Sequence, residues 1–135
     1  MDYISVMASK AILMNAFFDQ FISFVSELSQ MYPDDADLSL AKTTLSFMKT
    51  TQPKLVINYV KDNVLKFEEK IMNKDESFFM SYDYNEYSSE VDMNVFKKLK
   101  DYNAQLSPAS KENIWKYVQN ITRLCKAIIQ HSESS

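Results

Sequence analysis

The chain has no glycine in its 135 residues, although average usage of about 7% would place roughly nine there. Glycine supplies left-handed backbone in tight hairpin turns and lets the main chain close on phosphate groups. Its absence formally excludes Walker-type phosphate loops, dinucleotide fingerprints, nucleophile elbows and EF-hand loops, each of which needs glycine at fixed positions. It also favours helices joined by polar or proline-marked connections over a sheet. Histidine and cysteine are nearly as scarce, with His131 and Cys125 the only ones. One of each cannot complete a tetrahedral zinc set without unusual carboxylate help. They lie about 600° of helical rotation apart, so they point to different sides of one helix and do not form a nucleophile–base pair. Cys125 reads as a small core residue and His131 as a solvated one, and a lone cysteine suits a reducing compartment.

Other features are equally thin. Met1-Asp2-Tyr3 offers no basic leader, and Asn15, Asp19 and Gln20 interrupt the first apolar run, so neither a signal peptide nor a membrane contact is expected. Asn120-Ile121-Thr122 matches a glycosylation sequon by chance, within a helical pattern. Arginine occurs once, at Arg123, against fourteen lysines, which looks like the product of an AT-rich coding sequence. No catalytic residue, cofactor or metal ligand set is therefore expected.

What is present points to a globular all-α protein. The apolar fraction is 46%, with nine Phe and eight Tyr, and a chain of this length buries roughly 65–70% of its unfolded surface without staples. A single domain over 1–131 with a frayed tail over 132–135 is expected. The organising stretch is Met7 to Tyr32. Met7, Ala11, Met14, Phe18, Phe21, Val25, Leu28 and Tyr32 recur at alternating spacings of four and three, which keeps them on one helical stripe. Ile12, Phe17, Ile22 and Phe24 broaden it, so neighbours are expected on several sides. Pro33 stops this helix, and Asp34 or Asp35 caps a second one running to about Thr50. Thr51-Gln52-Pro53 opens a third, with Leu55, Val56, Tyr59, Val60, Val64, Phe67 and Ile71 along its face to Met72 and a bend near Asn63. A fourth spans about Asp92 to Asn103, and Ser107-Pro108 starts a fifth. The expectation is a compact bundle of about five helices, with the first at the centre and the third and fifth against it.

Charge is distributed in blocks. Residues 42–74 balance at +4, residues 75–92 at −6, and residues 93–131 at +5, within a net charge of −3. The acidic block also holds Phe78, Phe79, Tyr82, Tyr84 and Tyr87, without a helical or strand period. It reads as a long ordered loop before helix four, with one helical turn near Glu76 to Met80.

Several strings in this chain resemble a known group. Phe17-Phe18-Asp19-Gln20-Phe21, Met31-Tyr32-Pro33 and Thr51-Gln52-Pro53 are followed by Lys74-Asp75-Glu76-Ser77-Phe78-Phe79, Asp83-Tyr84 with Glu86-Tyr87, and Ile114-Trp115-Lys116-Tyr117-Val118-Gln119. Together, over roughly Asn15 to Ile129, they are similar to a family of small uncharacterised proteins of nucleocytoplasmic large DNA viruses. The resemblance implies a viral protein in the cytoplasm or nucleus of an infected cell, or carried in the virion. It implies no activity and transfers no functional residue.

The residues themselves suggest two non-catalytic uses. Tyr82, Tyr84, Glu86, Tyr87 and Trp115 combine rigid aromatic area, polar tips and an acidic surround, as protein-binding anchors do. The competing explanation is plain packing, with Phe78 and Phe79 in the core. The alternative use is nucleic-acid binding through Lys97, Lys98, Lys100 and Lys116 on the last two helices; the acidic net charge and single arginine weigh against it. Opposed charge blocks can also pair within the fold or between copies in a homo-oligomer. Carboxylate chemistry by Asp75, Glu76, Asp83 and Glu86 would need two of them held across a cleft in unlike environments, and no spacing here supplies that.

Overall fold

The computed structural model describes residues 3–82 and 95–134, with side chains for 9–82 and 98–132. Within them every regular element is helical, as the glycine-free composition implies. Helix α1 covers Tyr3–Met31, uninterrupted by glycine or proline. It ends where Pro33 removes a backbone donor, and the Asp35 amide closes the turn onto the Tyr32 carbonyl at 3.0 Å. Asp35 then caps α2 (Ala36–Thr51), its carboxylate accepting from the Asp37 amide at 3.1 Å. Helices α1 and α2 form an antiparallel hairpin, and Lys49 near the end of α2 reaches Asp19 at 3.5 Å.

Pro53 sits in the first turn of α3 (Pro53–Asn63). The single bent helix expected to Met72 is a chain of shorter pieces: α3, a 3-10 turn at Leu65–Phe67, and α4 (Glu68–Met72). At the break the Asn63 side-chain amide donates to the Tyr59 carbonyl at 2.9 Å, the local competition for backbone that makes asparagine a poor interior helix residue. The break still lets Phe67 and Ile71 turn inward to burial.

Between α4 and α5 (Glu76–Ser81) the chain must reverse without glycine. Lys74 takes the left-handed conformation at φ 53°. Its amide donates to the Ile71 carbonyl at 3.1 Å, and the Asp75 amide donates to the Lys70 carbonyl at 2.9 Å. That is the Schellman pattern, with lysine where glycine usually stands. A side chain there costs about 1 kcal/mol. Lys74→Gly is therefore expected to stabilise the fold by roughly 0.5–1 kcal/mol after the loss of an exposed ion pair to Glu112, read as a small rise in thermal midpoint. Asp75 caps α5 by accepting from the Phe78 amide at 3.1 Å and the Ser77 hydroxyl at 3.0 Å. The expected helical turn is thus a capped helix; the loop placed after it lies outside the described residues.

Helix α6 (Val95–Tyr102) leads through a 3-10 turn at Asn103–Gln105 to α7 (Pro108–Ser134). Ser107 caps α7, accepting from the Ser110 amide at 3.1 Å. The helix continues through 132–134, where a frayed tail is expected. Helix α7 runs antiparallel to α1: the Tyr117 hydroxyl donates to Glu27 at 3.0 Å, and the Asn120 amide donates to Gln20 at 3.2 Å.

The closest backbone neighbours of α1 are α7 and α2; α3 packs mainly on α2 and α7. The core joins Phe17, Phe18, Phe21, Phe24, Val25 and Leu28 of α1 to Leu45 of α2, Val60 of α3, and Val118, Ile121 and Cys125 of α7. Three residues expected on apolar faces lie outside it, Ala11, Ile12 at 67% exposure and Leu55 at 53%. The Lys49–Asp19 pair shows why for Ile12: α2 ends beside Asp19, so the earlier turns of α1 extend past it.

Candidate functional site

The aromatic residues of α5 do not stand free. Phe67 forms the hub of a ring cluster, with centroids 5.6 Å from Phe78, 5.9 Å from Phe79 and 5.1 Å from Tyr82. Edge-to-face and tilted geometries of this kind add to simple burial. Phe79 continues the cluster to Trp115 on α7 at 5.9 Å. Of the two explanations weighed for these residues, packing accounts for those nearest Phe67. Phe78, Phe79 and Tyr82 pack against the core, while Trp115 is half-buried and forms one wall of an opening.

That opening lies between α5, α6 and α7. Its sides are Phe79, Met80, Leu99, Leu106, Ile114 and Trp115, and Glu76, Lys100 and Lys111 stand at its margin. Its volume is about 70 Å³. This is about half the roughly 150 Å³ cavity that holds a benzene ring, and far below the roughly 300–1,000 Å³ of small-molecule sites. The space suits the tip of one aliphatic side chain. Lys111 pairs with Glu76 at 3.1 Å across its margin, and Lys74 pairs with Glu112 nearby. The basic and acidic blocks thus meet within the fold, and the two described carboxylates of those considered for acid–base work are engaged, Asp75 as a helix cap and Glu76 with Lys111; Asp83 and Glu86 lie outside the described residues.

Of the four lysines considered for nucleic acid, the three with described side chains are not brought together as one free surface. Lys98 turns to the α1–α2 corner, where its ammonium lies 2.9 Å from Asp35 and 3.4 Å from Asp37. Lys100 donates to the Tyr82 carbonyl at 3.4 Å. Lys116 is exposed on α7, and the Lys97 side chain lies outside the described set. Tyr84, Glu86 and Tyr87 are likewise outside the described residues.

Sequence reasoning did not find the corner that holds Lys98. Asp35 accepts from both Lys98, at 2.9 and 3.2 Å, and the Tyr102 hydroxyl, at 2.7 Å. Tyr102 stacks on Tyr32 with ring centroids 3.8 Å apart. Burial by itself would push the Asp35 carboxyl up, but the Tyr102 and Lys98 hydrogen bonds, the Lys98 charge and the Asp37 amide together bring it below the ordinary aspartate value. Burial also opposes the Lys98 charge, yet Asp35 and Asp37 raise its pKa. The Asp35 bond raises that of Tyr102. Every donor here has its acceptor, so the corner is a clamp that fixes α6, and with it the Leu99 side of the opening.

Cys125 is fully buried, with its sulfur 3.7 Å from the Ile57 carbonyl. Burial pushes its thiol up to about 11, which removes the thiolate that reactivity requires. Among the described residues no group of three His, Cys, Asp or Glu is placed to hold a metal ion. Ser9–Met31 of α1 is long and apolar enough to cross a bilayer, despite Asn15, Asp19 and Gln20. Here its Phe17, Phe18, Phe21, Phe24, Val25 and Leu28 are committed to the core. No protein-family model matches the chain, and neither a curated protein nor a solved structure matches it.

Proposed function

We propose that this is a non-catalytic protein that acts by docking a protein partner at the α5–α6–α7 opening, as an accessory or virion-associated component of a large DNA virus. The observation that carries the reading is the opening itself, which is apolar, sized for one side chain, walled by Trp115 and bordered by charge. Binding energy at protein interfaces concentrates where an apolar anchor enters such a desolvated recess, with charged groups at the rim giving orientation. Tyr82 packs on Phe67, whose ring also meets Phe79 of the recess. Tyr84, Glu86 and Tyr87, next in the chain, are the residues assigned to the partner's outer contacts. The viral setting rests on the sequence resemblance alone.

The test is affinity capture from infected-cell extract, with and without nuclease, using wild type, Leu106→Glu and Tyr84→Ala/Tyr87→Ala. Leu106 is a half-buried side of the opening, outside the buried core, so a charge there blocks the opening at little cost to folding. A partner retained after nuclease and weakened at least about tenfold by either variant is the expected result. A catch that disappears with nuclease and ignores both variants would sink this reading and favour nucleic-acid binding through the lysines of α6 and α7.

A further inference from the structure

Lys49, Lys70, Lys74, Lys98, Lys111 and Lys126 each lie within 3.5 Å of a carboxylate. Lys10, Lys54 and Lys61 do not share this pattern. They converge from α1 and α3 on a separate groove, closed on its third side by the C-terminal half of α7, with a volume of about 380 Å³. Among the described residues none of the three has a carboxylate in ion-pair range. Gathering like charges costs energy unless something neutralises them, and a chain of net charge −3 has carboxylates to spare elsewhere. The uncapped N-terminus of α3, where Pro53 leads directly to Lys54, adds positive potential on the same side. The lining is partly apolar: Met14 and Ile129 are half-buried, Ile57 and Ile128 are buried, and Asn58 and Ser132 are polar.

A purely polar anion would leave Met14 and Ile129 in contact with water, and an uncharged alkyl group would leave the lysines unneutralised. We propose that the α1–α3–α7 groove binds an anionic amphiphile, a single alkyl chain ending in a phosphate or carboxylate. The head group sits among Lys10, Lys54 and Lys61, and the first carbons of the chain lie on Met14 and Ile129, above Ile57 and Ile128. The volume falls within the roughly 300–1,000 Å³ of small-molecule sites, unlike the opening at Trp115. This groove shares only α7 with the docking surface, using its Ile128–Ser132 end rather than its Lys111–Val118 end, and either assignment stands or falls without the other.

The experiment is a titration of the full chain, with labelled methionine and isoleucine methyl groups followed by NMR. The probes are decyl phosphate below its micelle concentration, decanol, inorganic phosphate, and vesicles of an anionic phospholipid. The expected result is saturable movement of the Met14, Ile57 and Ile128 signals with decyl phosphate. Binding should weaken at least about tenfold in Lys54→Gln/Lys61→Gln, because hydrogen bonds to charged groups are lost, and stay unchanged in Lys42→Gln. Equal binding of decanol or of inorganic phosphate would overturn the proposal. So would binding to vesicles alone, or a double variant that binds like wild type.

Discussion

Phe17→Ala is expected to destabilise the protein by about 3–5 kcal/mol, the range for removing a fully buried ring. Phe17 has no exposed surface, and its ring meets those of Phe18 at 5.2 Å and Phe21 at 6.0 Å, both edge-on. It lies where α1 is flanked by α2 and α7 together, so no single neighbour can relax into the cavity. Against a typical total of about 5–15 kcal/mol, the loss takes much of the margin. At this chain length it corresponds to a fall of roughly 12–20 °C in thermal midpoint. Phe47→Ala, at 65% exposure on the outer side of α2, should shift stability by no more than about 0.5 kcal/mol. Thermal unfolding followed by circular dichroism separates the two. A Phe17→Ala variant that melts within two or so degrees of wild type would mean the α1 core is not packed as described.

Removing the Asp35 carboxylate should have the second largest effect. Asp35→Ala deletes the cap of α2 and leaves Tyr102 without its acceptor and Lys98 with only Asp37 at 3.4 Å. Loss of a cap and of charge-assisted bonds together corresponds to about 2–3 kcal/mol. The damage should concentrate in α6, whose described polar anchors are this clamp and the Lys100–Tyr82 bond. Amide hydrogen exchange in α6 should therefore accelerate more than exchange in α1 or α7. Uniform acceleration would argue that the clamp does not hold α6 in particular.

The same clamp gives a pH signature. The Asp35 pKa is lowered by folding, so its stabilisation is complete above the ordinary aspartate value of about 4 and is lost as pH falls through the lower folded-state value. The pKa values of Lys98 and Tyr102 are raised, so their contribution is complete below their ordinary values of about 10 and is lost as pH rises through the higher folded ones. The stability gap between wild type and Asp35→Asn should thus be flat through neutrality and close at both extremes. A gap that changes steadily between pH 5 and 8 would point to a different titrating group.

How much of this was readable in advance differs from residue to residue. The caps at Asp35 and Ser107 and the proline start at Pro53 were legible, because a cap involves a side chain and an amide two or three positions away. The alternation of Phe18, Phe21, Val25 and Leu28 was legible for a similar reason, since a 3.6-residue period states which side of a helix is apolar. Ile12 and Leu55 fit the same periods and are exposed. A period does not say how far along its length a face is covered. Lys98 and Lys116 are both helical lysines in a basic block, and one is bound to Asp35 while the other faces water. Nothing local distinguishes them, because the acceptor of Lys98 lies in a turn sixty-three residues earlier.

The sequence by itself determined an all-helical body. No glycine is available for hairpins, the apolar spacing is helical, and prolines and capping residues mark the starts of the helices. The tertiary structure alone decided which helices meet, which lysines are neutralised, and where space remains at Trp115 and beneath Lys10, Lys54 and Lys61. Local rules act over one or two turns of helix, whereas charge pairing and cavities depend on the register between helices. That register is set by the packing of the whole core at once.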